Sequence, residues 1–233
     1  MRIAIISDIH ANLEALTTAL EIIEKRDITE IICLGDIVGY GANPNECMEL
    51  VLRHTSSIVL GNHDEAAVNL AAAEYFNPYA RIAAEWTNSI LTERNKEILS
   101  RSPYLIERHD ILFVHASPYQ PEWWYYILSP ANAQKNFHYF KQSLCFVGHS
   151  HVPAVYCEDD RTTVVSKEKR FIVNVGSIGQ PRDHVPKLSF GIFDTGTWRY
   201  ENIRASYDIT TAANKIYDAG LPSVLAERLY EGK

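Results

Sequence analysis

The chain has 233 residues, 22 of them Lys or Arg against 29 Asp or Glu, for a formal net charge of −7 with the histidines neutral. A protein that coats nucleic acid needs a basic excess or stripe to neutralise phosphates, so this balance argues against an extended nucleic-acid surface. Hydrophobic residues at 46% and charged residues at 22% sit near globular averages, which argues against disordered and collagen-like architectures, and the length fits one large domain or two small ones.

The stretch Met1-Arg2-Ile3-Ala4-Ile5-Ile6-Ser7-Asp8 meets a carboxylate before a signal-peptide core could form. No segment approaches the ~18 apolar residues of a membrane span. Cys33, Cys47, Cys145 and Cys157 are scattered, with no C-x-x-C pair, so the expectation is a cytoplasmic protein with reduced thiols and no membrane partner.

Residues 2–7 read as a short buried strand, rich in isoleucine and bounded by a polar turn. Leu13, Leu16, Leu20 and Ile23 then mark one apolar helix face. Residues 31–34 predict a second strand, Asn43-Pro44 a cap and first position of a helix to about residue 54, and residues 57–60 a third strand. This alternation predicts a parallel sheet whose right-handed crossovers bring the C-terminal strand ends to one edge.

From 65 to 103 the pattern is helical until Pro103 stops it. Residues 105–108 and 111–114 flank His109-Asp110 as a hairpin whose outgoing strand ends at His115. A helix over about 130–141 follows, then strands at 144–147, 154–157, 162–165, 170–175, 188–193 and 197–203, with Asp194-Thr195-Gly196 as a turn, and a helical tail. No repeat or linker interrupts the chain, so the expected organisation is one domain, residues 1–233, with a helical insertion at about 65–103.

Polar clusters follow the predicted strands: Asp8-x-His10, Gly35-Asp36, Gly61-Asn62-His63-Asp64, His115 and Gly148-His149-Ser150-His151. Ligands bind at the carboxyl ends of strands in open α/β sheets, so these distant segments can share one crevice. In extended chain, residues i and i+2 point the same way, so Asp8 with His10 and His149 with His151 can each present a ligand pair. Imidazole mixed with carboxylate and amide oxygen favours Mn, Fe, Zn, Co or Ni over Mg or Ca. Asp8, His10, Asp36, Asn62, His115, His149 and His151 exceed the needs of one such ion and suit two ions that share a carboxylate. Such a pair lowers the pKa of a shared water and binds phosphoryl oxygens, which is phosphoesterase chemistry. Two divalent ions outweigh the charges of Asp8 and Asp36, so an acidic chain still holds a cationic pocket for a small phosphate.

In order, these clusters resemble the signature of the calcineurin-like metallophosphoesterases, and the run Asn174-Val175-Gly176-Ser177-Ile178-Gly179-Gln180-Pro181-Arg182 looks like their small bacterial and archaeal branch. The resemblance implies an α/β (α+β) fold, a four-layer α/β/β/α sandwich of two mixed β-sheets flanked by helices, with a dinuclear site at the sheet edge. It assigns Asp8, His10, Asp36 and His151 to one metal, and Asp36, Asn62, His115 and His149 to the other. Mn or Fe is expected first, with Zn, Ni or Co as alternatives. His63 falls where the family places a histidine that interacts with substrate and is a candidate for protonating the leaving oxygen.

The phosphoprotein phosphatases of the family continue the second motif as Gly-Asp-x-x-Asp-Arg-Gly, with the second Asp orienting the catalytic histidine and the Arg binding phosphate. Here the run is Gly35-Asp36-Ile37-Val38-Gly39-Tyr40-Gly41, which argues against a dedicated Ser/Thr protein phosphatase and leaves Asp64 as a candidate substitute for the absent carboxylate. Arg182 is a candidate phosphate clamp, with a surface salt bridge as the alternative. Asn12 either contacts substrate or caps the first helix, and capping is preferred. The aromatic run Tyr119–Tyr126 either packs a core or subunit contact or stacks on a nucleobase, and packing is preferred. His54, His109, His138 and His184 lack ligand spacing. The expectation is hydrolysis of a phosphomonoester, a phosphodiester or a small nucleotide, including a dinucleoside polyphosphate. The rivals are a non-catalytic scaffold, like the retromer subunit that resembles these enzymes, and a nuclease acting on short oligonucleotides.

Overall fold

Successive residues of a strand face opposite sides, and in β1 (Arg2–Ile6) both sides are apolar. Ile3 and Ile5 join Ile32, Phe113, Phe146, Phe171 and Phe193 in a core between two sheets, while Ala4 and Ile6 pack against the helices outside. The same alternation governs β5 (Leu144–Val147), where Leu144 and Phe146 face the inter-sheet core and Cys145 and Val147 face an outer helix. Two strands buried on both faces thus specify a helix–sheet–sheet–helix stack. The computed structural model describes residues 1–108, 110–159 and 161–233, so His109 lies outside the described residues.

One sheet has four strands in the order β2 (Glu30–Cys33), β1, β8 (Leu188–Asp194), β9 (Arg199–Ala205). The other has five, in the order β3 (Leu105–Arg108), β4 (Ile111–Val114), β5, β7 (Phe171–Asn174), β6 (Ala154–Cys157). Both sheets are mixed: β1 pairs parallel with β2 and antiparallel with β8, and β5 lies parallel between β4 and β7 while β6 is antiparallel. Helices α1 (Leu13–Lys25) and α2 (Pro44–His54) cover the first sheet through Leu16, Leu20, Ile23, Met48 and Val51. Helix α6 (Pro130–Asn136) covers the second through Ala133, continued by Phe137 in a following 3₁₀ turn.

The structure departs from the sequence reading where a strand lacks a partner. Residues 57–60 form only one parallel bridge, Cys33 to Ile58, because the Leu60 N–H turns away to the Pro103 carbonyl and a helix starts at Asn62. Beside β1, on the side away from β2, lies antiparallel β8, so the parallel sheet predicted from the strand–helix alternation is a mixed one, as the family resemblance implied. Residues 162–165 form no strand: β6 is the sheet edge, and of this β-prone run only Val165 reaches the core. The helical stretch breaks into α3 (Asn62–Val68), a 3₁₀ turn (Leu70–Tyr75), α4 (Pro78–Ile90) and α5 (Glu93–Ser100). Asn69, Asn77 and Thr92 cap the last three pieces through their side chains. The expected helix to residue 141 stops at Asn136. The tail forms α7 (Ile209–Asp218) and α8 (Ser223–Glu231), which pack together beside Tyr40 and α4.

Phe146 is fully buried at the centre of the inter-sheet core, 5.6 Å from the Phe113 ring and 5.7 Å from Phe193. Phe146→Ala should cost about 3–5 kcal/mol of stability in chemical denaturation. A loss below ~1 kcal/mol would mean that the two sheets do not share this core.

Candidate metal centre

The loops after β1 and β2 are zipped together, Asp8 N–H to Gly35 O at 3.0 Å, His10 N–H to Asp36 O at 2.9 Å and Ala11 N–H to Ile37 O at 2.8 Å. Gly35 has φ +96°, and a Cβ there would lie 2.5 Å from Gly61 N, so only glycine lets the 59–61 segment come this close. Asp8, His10, Asp36, His149 and His151 all carry φ between 50° and 64°, a left-handed conformation that non-glycine residues rarely adopt and that costs about 1–3 kcal/mol each. Such strain concentrated on the predicted ligands marks a site that the rest of the fold holds in place.

The side chains converge as two buried sets. Asp8, His10 and His151 offer ligand atoms within 4.8 Å of one another, and so do Asp36, His115 and His149. Asn62 joins the second set, its Oδ1 3.2 Å from His115 Nε2, and His149 Nδ1 is also 3.2 Å from that atom. In the first set His151 Nε2 is 3.1 Å from His10 Nε2 and 3.3 Å from Asp8 Oδ1. Asp36 lies between them: its Oδ2 is 3.6 Å from His10 Nε2 and 3.4 Å from His115 Nε2, and it is buried without a hydrogen-bond partner. An orphaned carboxylate oxygen between two clusters of imidazole nitrogens is the arrangement a shared cation would satisfy.

The imidazoles are pre-oriented through their other nitrogens. His10 Nδ1 faces Val38 O at 3.2 Å, His115 Nδ1 faces Leu34 O at 2.9 Å and His151 Nδ1 faces Gln180 O at 2.5 Å. Donating Nδ1–H to a carbonyl leaves Nε2 as a lone-pair donor aimed inward. His149 is turned the other way and presents Nδ1. Asp8 accepts the His149 backbone N–H on both oxygens, at 3.1 and 3.0 Å, which ties the two sheets together at this edge.

Burial lowers His10 well below its ordinary pKa and takes His149 down to about 3, so both stay neutral donors. Burial alone would raise Asp8 and Asp36, yet His151 and His115 hold the first below the carboxylate range, and His115 and His63 hold the second below it. Burial opposes a charge on His115, but Asp36 lifts it to about 9. The pocket therefore favours positive charge beside Asp36, and a metal ion competes for the place a proton would take.

His63 heads α3, buried, with its backbone N–H on Asp36 Oδ1 at 2.8 Å. Among the described residues no carboxylate hydrogen-bonds its ring, and Nδ1 is buried without a partner. Asp64, the candidate substitute, spends its oxygens on the backbone N–H groups of Ile37, Val38 and Gly61, at 2.9, 3.1 and 3.2 Å. The ring is held by packing instead, 4.3 Å from the Tyr40 ring and 4.6 Å from Phe76. Burial lowers its pKa to about 4.

The 174–182 run wraps the first ligand loop: Ser177 Oγ and Gly179 N–H donate to Asp8 O, and Ile178 N–H to Ser7 O. Asn12 caps the first helix, accepting Ala15 N–H at 3.1 Å and donating to Gly179 O at 2.9 Å. Arg182 makes no salt bridge among the described residues; its Nη2 donates to Gln180 Oε1 at 2.8 Å and its guanidinium lies 5.8 Å from the centre of the Tyr40 ring. His54, His138 and His184 are exposed. The aromatic run is not packed into the core as a whole: Trp123 is 63% exposed, and with Trp124 and Tyr126 it lines a cavity of about 780 Å³ that also touches Asn62, His63 and His149. Backbone carbonyls and this cavity escaped the sequence reading, although the position of 174–182 after the last ligand pair was a usable signal.

Residues 1–197 match the model of the calcineurin-like phosphoesterase superfamily domain. An uncharacterized protein of Methanocaldococcus jannaschii is 42% identical over 241 aligned positions, covering 99% of this chain and 98% of that one. A crystal structure of a metallophosphoesterase from Sphaerobacter thermophilus is similar at a TM-score of 0.89 and 39% identity, covering 100% of this chain and 99% of its own. A hypothetical protein from Pyrococcus horikoshii shares the fold at a TM-score of 0.84 and 23% identity, with 100% and 98% coverage.

Asp36→Ala should remove bound metal from both sets, and His149→Ala from the set with Asn62 and His115, as read by elemental analysis of metal-reconstituted protein. Full metal content in Asp36→Ala with an unchanged circular-dichroism spectrum would contradict a shared carboxylate.

Proposed function

The chain belongs to the calcineurin-like phosphoesterase superfamily and is a metal-dependent phosphoesterase, and within that class we propose that it hydrolyses a small phosphomonoester, phosphodiester or nucleotide at two ions. The unpartnered Asp36 Oδ2 between the two buried sets carries this reading. Asp8, His10, Asp36 and His151 would hold one ion, and Asp36, Asn62, His115 and His149 the other. The imidazole-rich donor set favours Mn or Fe, with Zn, Ni or Co as alternatives. Bound there, the ions supply a water acidified toward neutral pH and positive charge for the phosphoryl oxygens.

The chain's own groups do the rest. His63 borders the cavity beside the ligands, where its imidazole N–H would donate to a phosphoryl or leaving oxygen. With its pKa at about 4 it is neutral at pH 7, so it serves as a hydrogen-bond donor, and an anionic ester beside it would raise its proton affinity for the leaving step. Arg182 would supply the guanidinium that Tyr40 cannot, since its planar fork suits phosphate oxygens and its Nη2 donates to the Gln180 amide oxygen rather than to a carboxylate among the described residues. The helical stretch at about 65–103 would be an insertion within one domain, and its residues Glu65, Tyr75 and Phe76 wall the cavity. A dinucleoside polyphosphate fits the same chemistry as a monoester. Four free, buried cysteines, and the lack of any helix long and apolar enough to cross a membrane among the described residues, support a cytoplasmic setting.

Protein loaded with Mn or Fe should hydrolyse p-nitrophenyl phosphate or its bis-aryl diester, and lose that activity on chelation. Inertness to both esters at full metal content would refute the reading. His63→Ala should keep its metal and lose roughly 10²-fold or more in kcat; a near-wild-type rate would remove His63 from the chemistry.

A further inference from the structure

The cavity beside the second ligand set is walled by rings. The segment after β4 contributes Trp123, Trp124 and Tyr126, and the stretch between α3 and α4 contributes Tyr75 and Phe76. These rings reach the ligands directly: Tyr126 stacks on His149 with centroids 4.0 Å apart and planes 23° apart, and the Trp124 ring lies 5.7 Å from His115. Trp124 is held in place at a backbone cost, with φ +57° and its Nε1–H donated to Glu65 Oε2 at 3.1 Å. Tyr75 is 94% exposed and Trp123 63% exposed, a large apolar surface left to water beside a functional site.

The charge of the same cavity is one-sided. Glu65 and Glu122 line it, and no Lys or Arg does among the described residues. Burial raises the pKa of Tyr104, which also lines the cavity, and the charges of Glu65 and Glu122 add to the rise. A phosphate held by the metal centre would thus project its organic part along aromatic walls towards acceptor oxygens, where a second anionic group meets repulsion.

We propose that this cavity is a specificity pocket for a planar aromatic group on the ester, carried by a phosphate ester of an aryl or nucleoside alcohol whose far edge is neutral or donates hydrogen bonds. The inference rests on the phosphoesterase reading and narrows its substrate class. Trp123 and Tyr75 cover the ring, Trp124 and Tyr126 position it beside His149, and Glu65 and Glu122 set the polarity of its outer edge.

The test compares substrates that differ only in the ring, using the full chain loaded with Mn. Benzyl phosphate should exceed butyl phosphate in kcat/KM, or AMP should exceed ribose 5-phosphate, by roughly tenfold or more, and the pair that discriminates tells small aryl from nucleoside. Trp123→Ala should collapse that ratio toward one. Benzyl phosphate bearing a 4-carboxylate should be disfavoured against the 4-amino analogue, and Glu65→Gln should narrow the gap. Calorimetric binding of benzylphosphonate against butylphosphonate reads the ring preference without turnover. Absence of hydrolysis with any ester defeats the phosphoesterase substrate reading, whereas equal binding of the two phosphonates and equal rates within both ester pairs overturn the pocket alone. An unchanged ratio in Trp123→Ala overturns it as well.

Discussion

One carboxylate organises the site. Asp36 accepts the His63 backbone N–H on Oδ1 and leaves Oδ2 buried between His10 and His115 without a hydrogen-bond partner. A buried carboxylate oxygen left unsatisfied is costly, and nearby imidazoles offset that cost only in part. The fold accepts this position because the chain around it cannot relax. Gly61 packs so closely on Asp36 that a Cβ would collide with its carboxylate, and the 36–38 loop is fastened by Asp64 and by the β1 loop.

From that constraint the layers acquire a purpose. The first sheet delivers Asp8, His10 and Asp36 at the ends of β1 and β2, and the second delivers His115, His149 and His151 at the ends of β4 and β5. Neither sheet holds a complete set: His151 comes from one and Asp8 from the other, and the His149 N–H bonded to Asp8 spans the joint. The inter-sheet core of Ile5, Phe113, Phe146 and Phe171 therefore sets the separation of the two half-sites, so packing and coordination geometry are one problem.

The candidate ligands were legible in the sequence because each strand end carries its own short cluster, a local pattern of residue types at fixed spacing. The mixed topology came from the family resemblance and not from the strand–helix alternation: β8 enters beside β1 from far along the chain, and nothing near residues 57–60 announces that their pairing stops after one bridge. The orientation of the imidazoles was also hidden, since Leu34, Val38 and Gln180 act through carbonyls, which any side chain would leave in place. His63 shows the limit most clearly. Its missing carboxylate could be read from Gly39, but its support, the rings of Tyr40 and Phe76, comes from segments on either side of it in the chain, and no spacing rule joins them. The aromatic run after His115 could be read as packing or as stacking on a nucleobase, and no local pattern announces that Trp123 stands exposed beside the cavity.

The central claim is that Asp36 holds two ions at once. Anomalous diffraction at the manganese edge, from crystals grown with Mn²⁺, tests it most directly. Two peaks should flank Asp36 Oδ2, one among Asp8, His10 and His151 and the other among Asn62, His115 and His149. A single peak at saturating Mn²⁺, or two peaks that do not share Asp36, would contradict the account.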